Sequence, residues 1–215
     1  MRSILMTLAA VTVVAQPVRA ERFDISPEAG DSHVVFESKA PMETFEGRTN
    51  RVSGSIDPAA DAEGVIALRV AVDMASLDTG ISLRDRHMRE NHLHTDEHPE
   101  ATFDGATVIE GDAAALSGDG DHDVTLEGDF TLHGVTRTIQ VPVRISRTSV
   151  DGEPRIHLTC EFQVTLPDYE IPRPRMLMLK LNETQKIHVD LWAAPAASDG
   201  AAGIESAGTE SANSE

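Results

Sequence analysis

Asp123–Arg147, DVTLEGDFTLHGVTRTIQVPVRISR, is the stretch on which the fold turns. Val124, Leu126, Phe130 and Leu132 share one face of a strand over Asp123–Leu132, and Ile139, Val141, Val143 and Ile145 share one face of a second over Val135–Arg147. A period of two is that of a half-buried strand. Only His133-Gly134 separates the two runs, so they are antiparallel neighbours joined as a hairpin.

The same period spreads outward from this hairpin. In Glu63–Met74, Ile66, Leu68, Val70, Val72 and Met74 oppose Ala67, Arg69, Ala71 and Asp73. Beyond Asp151-Gly152, a second hairpin signal, Ile156, Leu158, Cys160, Phe162 and Val164 share a face, which makes the single cysteine a small buried hydrophobe. Shorter strands are expected over Arg22–Ser26, over Asp31–Ala40 with Val34 and Phe36 on one face, and over Arg48–Asp57. Ala101–Glu110 with Phe103 inward, Met176–Leu181, and Lys186–Ala193 with Ile187, Val189 and Leu191 inward complete the set. Trp192 falls on the opposite face, and Pro167–Pro174 is too proline-rich for a central strand. The expectation is an all-β antiparallel barrel or sandwich, with closure favoured because it removes exposed sheet edges.

One stretch breaks the pattern. Asp78–Phe103, DTGISLRDRHMRENHLHTDEHPEATF, is charge-dense and helix-like. Ser82 and Asp85 are spaced as a capping box, and His98-Pro99 is the expected stop because the residue before proline avoids the helical region. Any specific function is expected near this insertion, with the barrel as its scaffold.

The ends read differently from the middle. Residues 1–20 have the layout of a signal peptide: Arg2, an apolar run Ile4–Val14, and Val18-Arg19-Ala20 before Glu21. That run is too short to span a membrane, and no cysteine follows it to carry a lipid. A periplasmic protein without a stable membrane anchor is therefore expected. Residues 195–215 are Ala, Gly, Ser and Glu with little to bury, an acidic disordered tail. One domain, 21–194, remains. The chain carries a formal charge of −18, and −20 once Arg2 and Arg19 leave with the leader. That balance argues against nucleic acid and anionic membranes as partners.

The residues that carry a family pattern are Asp85-x-His87 with Met88-Arg89, Pro99-x-x-x-Phe103, and GDFTLHGVTRTIQVPV over Gly128–Val143. Phe36, Phe45-x-Gly47, Gly54-x-Ile56 and Asp168-Tyr169 support them. In this order and spacing the chain resembles the YceI-like family of exported bacterial proteins across nearly all of Arg22–Ala194. The resemblance implies a lipocalin-like antiparallel barrel of about eight strands, a short helix inserted near residues 81–92, and an elongated apolar cavity that holds a long isoprenoid chain. The chain departs from the family pattern at His98, where an aromatic is usual, and at His92-Leu93-His94, where an aromatic pair is usual.

On this reading the protein is a carrier for an amphipathic lipid, with an isoprenoid such as a quinone or polyprenyl chain as the expected class, needing no cofactor; a homodimer is left open. The apolar lining is expected from Phe36, Ile66, Leu68, Val70, Val72, Met74, Phe103, Leu126, Phe130, Ile139, Val141, Val143, Ile156, Leu158, Cys160, Phe162, Val189 and Leu191. Arg84, Asp85 and His87 are the polar rim candidates. The competing reading of those three is a local network in which Asp85 fixes the insertion onto the barrel, and a barrel of this size can be filled by its own side chains.

Two other classes stand beside the carrier. A ligand-free protein could dock partners through the acidic insertion and the Pro167–Pro174 segment. His87, His92, His94 and His98 with Asp96 and Glu97 suit zinc or copper by type but sit in no recognised ligand spacing, so a solvated histidine run is the expectation. No nucleophile elbow, exposed Cys–His pair or phosphate-cradling glycine loop is present, so no enzyme is expected.

Overall fold

The structure is a computed structural model describing residues 21–40, 43–173, 175–176 and 179–196. The leader and most of the acidic tail lie outside the described residues. Among the described residues twelve strands and one α-helix follow in chain order: β1 (Phe23–Ile25), β2 (His33–Ala40), β3 (Glu43–Thr49), β4 (Val52–Asp57), β5 (Val65–Asp73), α1 (Ser82–Met88), β6 (Glu100–Glu110), β7 (Gly120–Leu132), β8 (Val135–Val150), β9 (Glu153–Thr165), β10 (Arg175–Met176), β11 (Leu179–Lys180) and β12 (Thr184–Pro195).

From β4 through β9 each strand pairs antiparallel with the next, and β9 pairs with β12. Closure comes from two broken rows. β12 pairs with β2 over Lys186–Asp190 and with β1 over Ala193–Pro195, so β1 and β2 lie end to end along it. β3 pairs with β2 and β4 with β1, which makes a second composite row. Eight rows close the barrel.

Two expectations need correction. Arg48–Asp57 is not one strand, because the Thr49 hydroxyl accepts the Arg51 N–H at 2.9 Å, a local bond that competes with the ladder. Met176–Leu181 adds no strand to the barrel, since β10 and β11 form a separate two-stranded hairpin. The last strand also reaches Pro195, where the tail was expected to begin, and the Ala196 N–H donates to the Arg22 carbonyl at 2.8 Å.

The two hairpin turns follow from their residues. His133 (φ 52°) with Gly134 (φ 75°), and Asp151 (φ 53°) with Gly152 (φ 84°), both take the paired positive-φ geometry that matches strand twist. Trp192 lies half-buried outside the barrel, its ring stacked on His157 at 4.1 Å.

The interior divides along the strands. At one end Phe23, Ile25, Ile56, Ile66, Ile145 and Ile156 pack solidly, with Leu116 from the turn at Ala113–Ser117 as a stopper; none is more than 2% exposed. At the other end Met74, Leu77, Ala101, Leu132, Val164, Leu166, Tyr169 and Ile171 form a second cluster beside the insertion. Between the two the barrel is hollow.

Candidate functional site

The cap over the hollow end is built from Thr79 upward. Its N–H donates to Asp85 Oδ1 at 2.9 Å and its hydroxyl donates to the same oxygen. That hydroxyl also accepts from Arg84 Nε at 2.8 Å, while Arg84 Nη2 donates to the Thr79 carbonyl at 2.9 Å. The capping box expected at Ser82 and Asp85 does not form: Ile81 precedes the helix without a side-chain cap, and Asp85 turns inward to Thr79 instead. Burial works against ionisation of Asp85, yet the hydrogen bonds from Thr79 prevail and hold its carboxyl below the usual range.

Arg84 ties the helix to the barrel. Nη1 donates to Glu43 Oε1 at 3.1 Å on β3, and the guanidinium lies 4.0 Å from the centre of the Phe45 ring. After Met88 the helix widens into a π turn over Arg89–Leu93 and ends at His94 in a left-handed conformation (φ 44°). It therefore stops before Pro99, the expected terminator. The wide turn carries His92 and Leu93 toward the cavity, which they line with Met88.

Of the expected solvated run only His87 is exposed; His92, His94 and His98 are half-buried, as is His133 beside them. His92 Nδ1 donates to the Pro172 carbonyl at 2.9 Å. His133 Nδ1 donates to the Tyr169 carbonyl at 3.0 Å, since a carbonyl can only accept. In the neutral ring His133 Nε2 is then the acceptor for His94 Nδ1–H at 2.8 Å. His98 packs edge-on to His133 with centroids 4.7 Å apart. These four rings clasp the insertion to the β7–β8 turn and to residues 166–172. Burial, the largest influence, lowers the pKa of His92 against the Pro172 bond, and the nearby His94 and His87 lower it further. Among the described residues no three His, Cys, Asp or Glu side chains converge as a metal site.

Beneath the cap lies a cavity of about 820 Å³. Fifteen of the expected lining residues form its wall: Phe36, Leu68, Val70, Val72, Met74, Phe103, Leu126, Phe130, Val141, Val143, Leu158, Cys160, Phe162, Val189 and Leu191. Ile66 and Ile156 do not, being locked in the solid end, and Ile139, half-buried opposite Gly128 between Val141 and the β7–β8 turn, packs against the core without reaching the wall. Of the rim candidates, Arg84 and His87 line the mouth, whereas Asp85 is 6% exposed and anchors the helix from below.

Sequence reasoning missed Val34 and Ser38, although both share the alternating face of Phe36. It also missed Phe45, Ile81, Met88 and His92, for which only the docking of the cap supplies the signal. The Ser38 hydroxyl is fully buried without a partner among the described residues, and Gln185 Nε2 donates to the Asn182 carbonyl at 2.6 Å. Burial pushes the Cys160 thiol up to about 12, so it is a neutral part of the wall. Among the described residues of the lining, Glu43 and Arg84 are the acid and the arginine, and they pair with each other. The arrangement offers a dry aliphatic interior beneath a polar opening, which suits an apolar chain with a polar end.

Comparison with known proteins agrees with this architecture. A UPF0312 protein of Vibrio parahaemolyticus is 29% identical over 180 residues, covering 80% of this chain and 90% of that one. Protein YceI of Escherichia coli is 31% identical over 118 residues, 54% of each chain. Among solved structures, a polyisoprenoid binding domain from Saccharophagus degradans superposes with a TM-score of 0.61 at 20% identity, over 82% of this chain and 99% of that one. BcnA of Burkholderia cenocepacia does so with a TM-score of 0.57 at 19% identity, over 76% and 96%. At such identity these two are likenesses of fold. The YceI-like domain model matches residues 24–193, and the chain belongs to that family.

Proposed function

We propose that this protein binds and carries a long amphipathic lipid, its hydrocarbon tail in the barrel and its polar end at the mouth. The observation that carries the reading is the 820 Å³ hollow, walled by aliphatic and aromatic side chains from every row of the barrel. An isoprenoid such as a quinone or polyprenyl chain is the proposed class, supported by the family and by the polyisoprenoid binding domain that shares the fold. The reading is binding rather than catalysis, supported by the family and by a wall in which the thiol of Cys160 is held neutral.

Energetically the tail dominates. Ten buried carbons contribute about 8 kcal/mol at roughly 0.8 each, against association costs of roughly 4–15 kcal/mol. A rim hydrogen bond adds only about 1 kcal/mol. The mouth therefore selects the polar end, while the wall holds the ligand. The proposal includes export to the periplasm through the leader at residues 1–20, and a mature N-terminus at Glu21 would be the supporting result. Organic extraction of natively purified protein, followed by mass spectrometry, should release a lipid with a long tail. Absence of any lipid, together with no uptake of added quinone, overturns the reading.

A ligand-free protein docking through the insertion and the Pro167–Pro174 segment would have a filled barrel and exposed apolar surface beside Tyr169 and Trp192. The barrel is hollow, Tyr169 is 4% exposed, and Trp192 is half-buried on His157. No observation favours that alternative over the carrier.

A further inference from the structure

Ser38 lines the cavity wall, yet its hydroxyl is fully buried and has no hydrogen-bond partner among the described residues. Buried polar groups are nearly always paired, so an exception calls for a reason. Val34, Phe36, Ser38 and Ala40 alternate along one face of β2, and all four line the cavity. Three of them are apolar, and a fourth apolar residue would have completed the wall without an unmet donor. Ser38 pairs with Phe45 on β3, and Ala40 pairs with Glu43 at the lip. At a strand rise of about 3.3 Å per residue, Ser38 lies about 7 Å inside the opening.

The neighbouring strand is placed to meet this hydroxyl and does not. Lys186 pairs with Glu37, which sets Gln185 beside Ser38 one step nearer the mouth. Gln185 is buried and also lines the cavity, but its Nε2 donates to the Asn182 carbonyl at 2.6 Å. That donor is turned away, and the Ser38 hydroxyl is left on the wall of a hollow. The charges above it decide what kind of group suits it. Arg84 is already committed, to Glu43 through Nη1 and to Thr79 through Nε and Nη2. An anion brought down to Ser38 would leave water beside an arginine already paired, after passing the Glu43 carboxylate. A neutral acceptor meets neither obstacle.

We propose that the Ser38 hydroxyl donates to a neutral carbonyl oxygen of the bound lipid, a ketone, ester or amide drawn inside the lip, and so selects such lipids over plain hydrocarbons and over phosphates. The inference rests on the lipid-carrier reading above and adds to it the chemistry of the ligand's polar end. The tail then runs deeper along the same face of β2, past Phe36 and Val34. Glu43 and Arg84 remain paired above the seated oxygen.

The test is displacement of the uncharged fluorophore N-phenyl-1-naphthylamine from the mature protein, stripped of co-purified lipid, by methyl undecyl ketone, tridecane and dodecyl phosphate. The ketone and tridecane have equal numbers of carbons, so the ratio of their affinities isolates the carbonyl. Comparing that ratio between wild type and Ser38→Ala cancels the difference in their hydration. The ratio should fall roughly three- to tenfold in Ser38→Ala, the range of one hydrogen bond, while tridecane binds both proteins equally. Dodecyl phosphate should be indifferent to the substitution. Lipid-free Ser38→Ala should melt at or above the wild-type temperature, because it loses an unmet hydroxyl and no contact. An unchanged ratio overturns the proposal, and so does a variant that melts lower, since the hydroxyl would then serve the fold. A phosphate that loses as much as the ketone overturns the choice of a neutral polar end. If neither the fluorophore nor tridecane enters the wild type, the carrier reading fails and this proposal with it. Their entry with an unchanged ratio leaves the carrier reading standing and refutes the role of Ser38 alone.

Discussion

Thr79 is the smallest part on which the mouth depends, since its hydroxyl donates to Asp85 while accepting from Arg84. The Asp85→Ala change would strand two half-buried donors of Thr79, a loss of about 1–3 kcal/mol in chemical denaturation. Asp85→Asn, which keeps an acceptor, should lose less. His92 sets a pH dependence at the same scale. Its folded pKa lies below the unfolded value of roughly 6.5, so the unfolded chain binds a proton first as pH falls. The contribution to stability is then complete above that value and is lost as pH falls through the folded pKa. The melting temperature of the His92→Gln variant should therefore gain on wild type as pH drops from 7.5 to 5. A constant difference between the two across that range would contradict the assignment.

Among elements, the insertion is the part with two attachments. Arg84 holds α1 to β3 through Glu43 and Phe45, and the four-histidine clasp holds the π turn to the β7–β8 turn and to residues 166–172. His133→Ala removes the donor to Tyr169 and the partner of His94 in one step. Amide exchange across 82–98 should accelerate, while the central strands β7, β8 and β9 keep their protection. Equal acceleration in the barrel would mean that the clasp supports the whole fold rather than the cap.

At the scale of the molecule, one barrel has two interiors. In the solid end, Ile156→Ala leaves a void among residues that cannot collapse onto it, at about 2–5 kcal/mol. In the hollow end, Val189→Phe places a ring into existing space and should be neutral or stabilising by about 1 kcal/mol. The same substitution should displace co-purified lipid. Denaturation curves and lipid extraction on the two variants separate the ends, and a Val189→Phe protein that retains its full lipid content would argue against a tail at that depth.

Period-two alternation carried most of this fold, because which face a strand residue takes is decided by its immediate neighbours in the chain. The inward sets of β5, β7, β8, β9 and β12 were legible for that reason, as were the turns at His133-Gly134 and Asp151-Gly152, where local backbone geometry suffices. The broken rows were not: Thr49 and Arg51 interrupt a strand by a bond that no hydrophobic pattern records. Nor could alternation separate Ile66 and Ile156 from Leu68 and Leu158, which share their faces. Phe23 and Leu116, far apart in sequence, meet the first pair and fill the space there, while the second pair looks into the hollow. Whether an inward side chain meets a partner or empty space is a matter of distance across the barrel, and only the closed tertiary structure sets that distance.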